Sequence, residues 1–281
     1  MIVRDILKQL RIRFAAAGLD TPDLDARILV RHFLELGDSD LITGERQPTP
    51  VQWAALNAAI ERRLAGEPVS RILGFREFWG LRFKITPDTL DPRPDTERLV
   101  EMAVESMKAN PPRRILDLGT GTGCILLSLL TEFPAATGLG IDINQGAVDV
   151  SRENMESIGL SARASFRQGN WTDSLTESDG PFDLIVSNPP YIPAGDIESL
   201  SVEVRNHDPI LALVGGHDGL DPYKILITEI KKFLSPQGRA FFEIGQNQHH
   251  DLARLVEESG LTLVRIGADY AGILRVVEIR L

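Results

Sequence analysis

Cysteine, positive charge and long apolar runs are all scarce in this sequence. Cys124 is the one cysteine among 281 residues, so no internal disulfide can form and a cytoplasmic protein is expected. No apolar stretch approaches the roughly 20 residues that a membrane-spanning helix needs, which excludes such a helix. The start, Met1-Ile2-Val3-Arg4-Asp5, lacks the basic opening, apolar block and small-residue cleavage site of a secretory leader. Basic residues number 30 against 40 acidic ones, a net charge of −10. Residues 1–80 carry 11 of each sign, so the whole excess, 29 acidic against 19 basic, falls in 81–281. A protein that wraps nucleic acid carries a basic footprint, and no direct nucleic-acid binding is expected here. The five histidines, His207 and the pair His249-His250 among them, lack metal-ligand spacing with cysteine or carboxylates, so no metal is expected.

What is present is ordinary globular material, 43% hydrophobic and 25% charged, long enough for one to two domains. The first 66 residues carry helical spacing: Ile6, Leu7, Leu10 and Phe14 line one face, and Trp53, Leu56, Ile60 and Leu64 another. Thr21-Pro22 and Thr49-Pro50-Val51-Gln52 read as N-caps followed by proline in the first turn. A small helical bundle over 1–74 is expected, holding a partner or bracing the next domain. Residues 75–90 are aromatic and β-branched around Trp79-Gly80, a β-hairpin linker. From Arg113 onward short apolar strands alternate with helices, and the last two strands, Leu261 to Ile266 and Ile273 to Leu281, alternate like an antiparallel pair. The third expected domain, 91–281, is therefore α/β: an open, mostly parallel sheet with helices on both faces and one antiparallel strand in a C-terminal hairpin.

Two stretches carry chemistry. Asp117-Leu118-Gly119-Thr120-Gly121-Thr122-Gly123 follows a strand and opens a helix, so its glycines let the backbone turn tightly against a ligand. The spacing is not the dinucleotide fingerprint Gly-x-Gly-x-x-Gly, because Cys124 holds the final position. Asp117 would sit poorly beside a pyrophosphate and well beside an ammonium group. Asp142, ending the next strand, can accept both hydroxyls of a ribose in a nicotinamide or an S-adenosylmethionine site. The second stretch is Ser187-Asn188-Pro189-Pro190-Tyr191. Two prolines after a buried strand stiffen the chain and leave carbonyls free. With the Asn188 side-chain oxygen and the Tyr191 ring they make a site for a planar NH₂ group. The nitrogen of an amide or exocyclic amine has a delocalised lone pair, and two acceptors hold it so that the lone pair can face an electrophile. Cys124 is expected to be a packed core thiol, and Glu243 stays open between packing support and substrate contact.

Asp117–Gly123 with Asn188–Tyr191 resembles the class I S-adenosylmethionine-dependent methyltransferases that modify amino nitrogens, with a Rossmann-like sheet. Gly74–Gly80, Pro92–Glu97 and Gly215–Asp221 narrow the resemblance to the HemK/PrmC family, the peptide chain release factor glutamine methyltransferases. It runs over nearly the whole chain. The resemblance implies methyl transfer to the glutamine amide nitrogen of the Gly-Gly-Gln motif in class 1 release factors, by in-line displacement with S-adenosylhomocysteine leaving. It implies that Gly119 to Gly123, with Asp117, Thr120 and Thr122, line the methionine part of the cofactor, Asp142 the ribose and Trp171 the adenine. Asn188 would contact cofactor and substrate amide, Pro189 would supply a carbonyl, and Pro190 and Tyr191 would pack on the glutamine. Two residues depart from the family pattern: Asp91 stands where an apolar residue is usual, and Arg71 where a tyrosine is common.

Three rival readings remain open. A DNA or RNA adenine methyltransferase would meet the same four residues, but the acidic 81–281 and neutral 1–80 argue against it. A cofactor-binding interaction factor without catalysis would not need the amide acceptors. A nicotinamide oxidoreductase lacks its final glycine. A monomer is expected.

Overall fold

A computed structural model describes all 281 residues. The chain divides into two compact units, Met1–Gly74 and Phe75–Leu281. No helix is long and apolar enough to cross a membrane.

The first unit is helical throughout: α1 (Val3–Ala16), α2 (Pro22–Phe33), α3 (Asp38–Thr43), α4 (Pro50–Leu64) and α5 (Val69–Leu73). Its core is the apolar stripe that the spacing marks, with Ile6, Phe14, Leu29, Val30, Leu56 and Ile60 fully buried. Thr49 caps α4 as expected, taking the Gln52 N–H while the Gln52 side chain returns to the Thr49 N–H. Thr21 does not cap α2. Its hydroxyl donates to Asp25 Oδ1 at 2.8 Å, and Asp25 Oδ2 accepts from the buried Arg63 guanidinium at 2.7 Å. A fully desolvated charge outcompetes a helix cap for the nearest hydroxyl, because leaving either ion unsatisfied costs several kcal/mol, roughly 3–5.

The second unit opens with the hairpin β1 (Phe75–Phe78) and β2 (Leu81–Lys84). This hairpin groups with the α/β unit rather than standing apart as a linker. The Asn154 side chain on α8 (Gln145–Ile158) accepts from the Lys84 N–H at 2.7 Å and donates to its carbonyl at 3.1 Å. The main sheet has seven strands: β3 (Arg114–Leu118), β4 (Thr137–Asp142), β5 (Ala164–Gln168), β6 (Phe182–Ser187), β7 (Leu234–Glu243), β8 (Thr262–Ala268) and β9 (Leu274–Arg280). The order is β5-β4-β3-β6-β7-β9-β8, and β9 alone runs opposite to the other six.

Two apolar layers sandwich the sheet. One joins Ile115, Leu184, Val186 and Phe241 to helices α6 (Glu97–Met107), α7 (Cys124–Glu132) and α8. The other joins Leu116, Ile185, Phe242 and Val277 to α10 (Asp221–Phe233) and α11 (His249–Glu258). The alternation of faces along each strand is the sequence alternation of the buried residues. The chain leaves β3 toward β4 on one side and later returns to β6 on the other. The crevice at the carboxyl ends of β3 and β6 is thus the switch point where ligands bind in open α/β sheets. Between β6 and α10 the chain makes 3₁₀ turns and the short helix α9 (Val202–His207). The segment closes on itself through Ile192 N–H to the Leu213 carbonyl and Gly215 N–H to the Ile192 carbonyl.

Gly140 of β4 lets this sheet pack tightly. A β-carbon there would lie 2.5 Å from Phe166 Cδ1 and 2.8 Å from Thr120 Oγ1. Gly140→Ala is expected to destabilise the fold by about 1–3 kcal/mol, read as a lower urea midpoint; an unchanged midpoint would contradict this packing.

Candidate active site

The turn after β3 is built by backbone, not by side chains. Gly119 and Gly121 have φ of +73° and +56°, values that only glycine adopts freely. The Gly119 and Thr120 N–H groups both donate to the Ile141 carbonyl, at 2.9 and 3.0 Å, which pins the turn to the end of β4. The Gly121 N–H donates to Asp142 Oδ2 at 2.8 Å. Gly119, Thr120, Gly121 and Thr122 line a cavity at the switch point. Gly123 does not. A β-carbon on Gly123 would stand 3.1 Å from Phe166 and 3.3 Å from Leu127, so this glycine lets α7 pack close to the sheet. Cys124 sits at the cavity's edge with its thiol pushed up to about 12 by burial, which leaves it protonated and unreactive.

Asp117 lies directly beneath the turn, fully buried on β3 opposite Gly140. Its Oδ2 accepts from the Thr120 hydroxyl at 2.6 Å, and its Oδ1 has no partner. Burial pushes its pKa up to about 7, the Thr120 hydrogen bond opposes this, and the nearby Asp142 charge adds to it. Asp142 itself is raised, again chiefly by burial, against hydrogen bonds from the Asn144 and Gly121 N–H groups. Each Asp142 oxygen accepts a backbone N–H, and the residue lines the cavity. Trp171 reaches the same cavity from a φ of +52°, with its ring edge 3.5 Å from where a Gly119 β-carbon would be.

The β6 loop forms the facing wall. Parallel pairing sets Leu118 beside Ser187, and the Ser187 hydroxyl donates to the Leu118 carbonyl at 2.6 Å. The next residues on each strand, Gly119 and Asn188, therefore emerge side by side. Asn188 and Pro190 line the cavity. Asn188 Nδ2 donates to Thr96 Oγ1 at 3.1 Å, so its Oδ1 is the atom left to accept. Tyr191 turns away from the cavity wall: its hydroxyl donates to Glu243 Oε1 at 3.4 Å, and its carbonyl accepts from Gln248 Nε2 at 3.0 Å. Pro189 and Tyr191 are not among the cavity's lining residues. Glu243, the last residue of β7, is buried. Burial pushes its carboxyl up to about 7, while the nearby Thr96 hydroxyl, the Arg275 charge and the Tyr191 hydrogen bond pull it down.

Further participants come from the Pro92–Glu97 stretch, to which the sequence assigned no role in the site. Thr96 and Arg93 reach the cavity from the Pro-Arg-Pro turn, and Arg93 is held by Asp208 at 2.5 Å. Their placement depends on contacts far along the chain, so spacing cannot reveal it. Asp91, the departure from the family pattern, is buried with its Oδ1 3.9 Å from the Arg76 guanidinium, so the opposite charge accompanies it. Arg71 belongs to the first unit and does not line this cavity.

The raised Asp117 pKa has a defined sign. Its stabilising protonated form is complete below about pH 4, the ordinary carboxyl value, and stability is lost as pH rises toward 7. Asp117→Asn removes that loss, so the variant's thermal midpoint is expected to exceed wild type by about 2–4 °C at pH 8. A lower midpoint than wild type at pH 8 would contradict an ionised, unpaired Asp117.

Comparison with known proteins agrees with this architecture. Residues 5–74 match the family described as PrmC N-terminal domain, and residues 110–262 match a methyltransferase domain family. A release factor glutamine methyltransferase of Rhodospirillum rubrum is 49% identical over 261 residues, covering 92% of this chain and 79% of its own. The protein of the same name from Bradyrhizobium diazoefficiens is 45% identical over 278 residues, covering 97% and 93%. Among solved structures, the hMettl16 catalytic domain in complex with a 3′UTR hairpin superposes with a TM-score of 0.60 over 91% of this chain and 90% of that one. At 15% identity that likeness concerns the fold alone. By sequence, over nearly its whole length, the chain belongs to the release factor glutamine methyltransferases.

Proposed function

We propose that this protein transfers a methyl group from S-adenosylmethionine to the side-chain amide nitrogen of the glutamine in the Gly-Gly-Gln motif of class 1 peptide chain release factors. The observation that carries this reading is the Asn188 amide. Its nitrogen is committed to Thr96 at the cavity wall, and its oxygen is free to accept from a substrate NH₂ beside the glycine turn.

The residues fit the cofactor. The unpartnered, fully buried Asp117 Oδ1 beneath a glycine cradle suits the ammonium of the methionine part. Gly119 to Thr122 supply the cradle, and the Asp142 carboxylate suits the ribose hydroxyls. Trp171, on the cavity wall, would flank the adenine. When bound, the cofactor supplies a methyl carbon on a sulfonium leaving group. Asn188 Oδ1 and the Pro189 carbonyl would each accept one N–H of the glutamine amide and so turn its lone pair toward that carbon. Pro190 closes the side of the glutamine chain, and Tyr191, turned toward Glu243, stiffens the loop from behind. Positioning of this kind is worth about 7–11 kcal/mol in effective molarity. No strong base is required before attack, because the amide nitrogen becomes acidic once methylated. The first unit is the proposed partner-holding element, acting on a protein substrate.

The test is transfer of labelled methyl to a release factor, to the same factor with its Gly-Gly-Gln glutamine changed to alanine, and to duplex DNA. Label on the first alone is expected; label on DNA, or equally on the alanine variant, would overturn the assignment. Asn188→Ala is expected to lower kcat by about 100-fold, the cost of a mispositioned reactant, with cofactor affinity nearly kept. Near-normal turnover in that variant would remove Asn188 from the reaction. Asp142→Ala should instead weaken the cofactor. Cofactor affinity should also rise as pH passes through about 7, where Asp117 ionises, and this rise should vanish in Asp117→Asn.

A further inference from the structure

The stretch Gly215–Asp221 helps to set the family resemblance, yet none of it lines the cavity. The structure places it directly behind the Asn-Pro-Pro-Tyr loop. A β-carbon on Gly215 would lie 2.6 Å from the Pro190 carbonyl oxygen and 2.9 Å from Tyr191 Cα. One on Gly219 would fall on the Tyr191 carbonyl oxygen. Backbone therefore meets backbone here with no side chain between. A single side chain from a third segment closes the junction. Gln248, 9% exposed just before α11, donates from Nε2 to the Tyr191 carbonyl at 3.0 Å and to the Gly219 carbonyl at 3.2 Å. Its Oε1 accepts from the Gly245 N–H at 2.8 Å.

A glutamine amide offers two N–H donors and one acceptor oxygen. Both donors meet carbonyls and the oxygen meets an N–H, so turning the amide over would set like against like at all three contacts. Gln248 thus ties three segments in one fixed orientation: the loop after β6, the turn before α10 and the loop after β7. The two prolines explain why the loop needs such a tie. Pro189 and Pro190 have no N–H and cannot anchor themselves by donation. Their rings also fix φ, so a displacement of Tyr191 carries back toward Asn188 with few torsions to absorb it. The front of the loop is held by the Ser187 hydroxyl on Leu118 and by Asn188 Nδ2 on Thr96. Its rear is held by Gln248.

Resting on the functional reading above, we propose that Gln248, seated against Gly215 and Gly219, is a positioning residue for methyl transfer. It holds the Tyr191 carbonyl and, through the two prolines, sets the Pro189 carbonyl and the Asn188 amide where one NH₂ group can meet both. Gln248 itself touches neither cofactor nor glutamine. The same contacts account for glycine at 215, where φ is not left-handed and the requirement is space alone.

Steady-state kinetics at saturating cofactor, with a release factor as acceptor, test this. Gln248→Met keeps the length of the side chain and loses all three hydrogen bonds. Gln248→Glu keeps the shape and the Gly245 contact but turns an oxygen toward the two carbonyls. Each is expected to lower kcat about 10- to 100-fold, the scale of a reactant misplaced by up to 1 Å, with cofactor affinity by calorimetry unchanged. Gly215→Ala leaves Gln248 in place and pushes on the Pro190 carbonyl, so it should lose kcat on the same scale. Combined with Gln248→Met it should cost less than the product of the two losses, because both act on one loop. If Gln248→Met fails to fold, Gly215→Ala and Gln248→Glu carry the same outcomes. A second measurement needs no acceptor: the side-chain amide resonances of Asn188, assigned with Asn188→Ala, should move in both Gln248→Met and Gly215→Ala. Wild-type kcat in Gln248→Glu would overturn the proposal, as would cofactor affinity falling in step with kcat, or Asn188 resonances that stay in place. Failure of the wild-type protein to methylate the release factor, with the Asn188 resonances moving as expected, would count against the acceptor and leave the positioning role standing.

Discussion

The parallel pairing of β3 with β6 sets the position of every group that matters in the cavity. Leu118 and Ser187 lie side by side, tied by the Ser187 hydroxyl on the Leu118 carbonyl. One residue later the two strands turn in opposite directions around the switch point. The turn from β3 alternates glycine with threonine and is pinned through its backbone N–H groups; the turn from β6 is asparagine followed by two prolines. One strand end is shaped to admit a ligand closely, and the other to present stiffly aimed acceptors. A slip of one residue in this register would carry the Asn188 side chain to the other face of the sheet, and the two halves of the cavity would no longer meet.

Two buried carboxylates sit behind this pair of turns, Asp117 under the glycine turn and Glu243 behind the Asn188 loop. Both have pKa values raised to about 7 chiefly by burial, and both keep an oxygen without a partner. Perturbed, underpartnered acids of this kind cluster where proteins do chemistry. Their costs are separate. The free Asp117 oxygen lies under the glycine turn, where it suits a cationic group, whereas Glu243 receives the Tyr191 hydroxyl behind the Asn188 loop.

Much of this was legible in the sequence, and the reasons for the rest are physical. The apolar alternation of Ile115, Leu116 and Leu118 and of Leu184 to Val186 marks strands covered on both faces, and the structure places them so. The stripe through Ile6, Leu10 and Phe14 likewise gives a helix its buried face. The glycines and prolines declare their turns because few other residues tolerate those backbones. Short helices such as α3 and α5 span too few residues to show a period. The start of β7 is hidden by Pro236 and Gly238, which interrupt its alternation. Thr21 looks like a cap until Arg63, far along the chain, brings Asp25 its charge. Thr96 and Glu243 meet residues far along the chain, Asn188 and Tyr191, so spacing alone does not show their contacts. Gly123 and Tyr191 are placed by the motif but face the core and Glu243 rather than the cavity.

The proposed chemistry turns on Asn188 holding an amide nitrogen at the mouth of the glycine turn. A crystal structure with S-adenosylhomocysteine and a Gly-Gly-Gln peptide would show that contact or its absence. The glutamine nitrogen is expected within hydrogen-bonding distance of both Asn188 Oδ1 and the Pro189 carbonyl, with the cofactor ammonium on Asp117. A glutamine bound through its oxygen, or a nitrogen held elsewhere while Asn188 faces away, would contradict that role.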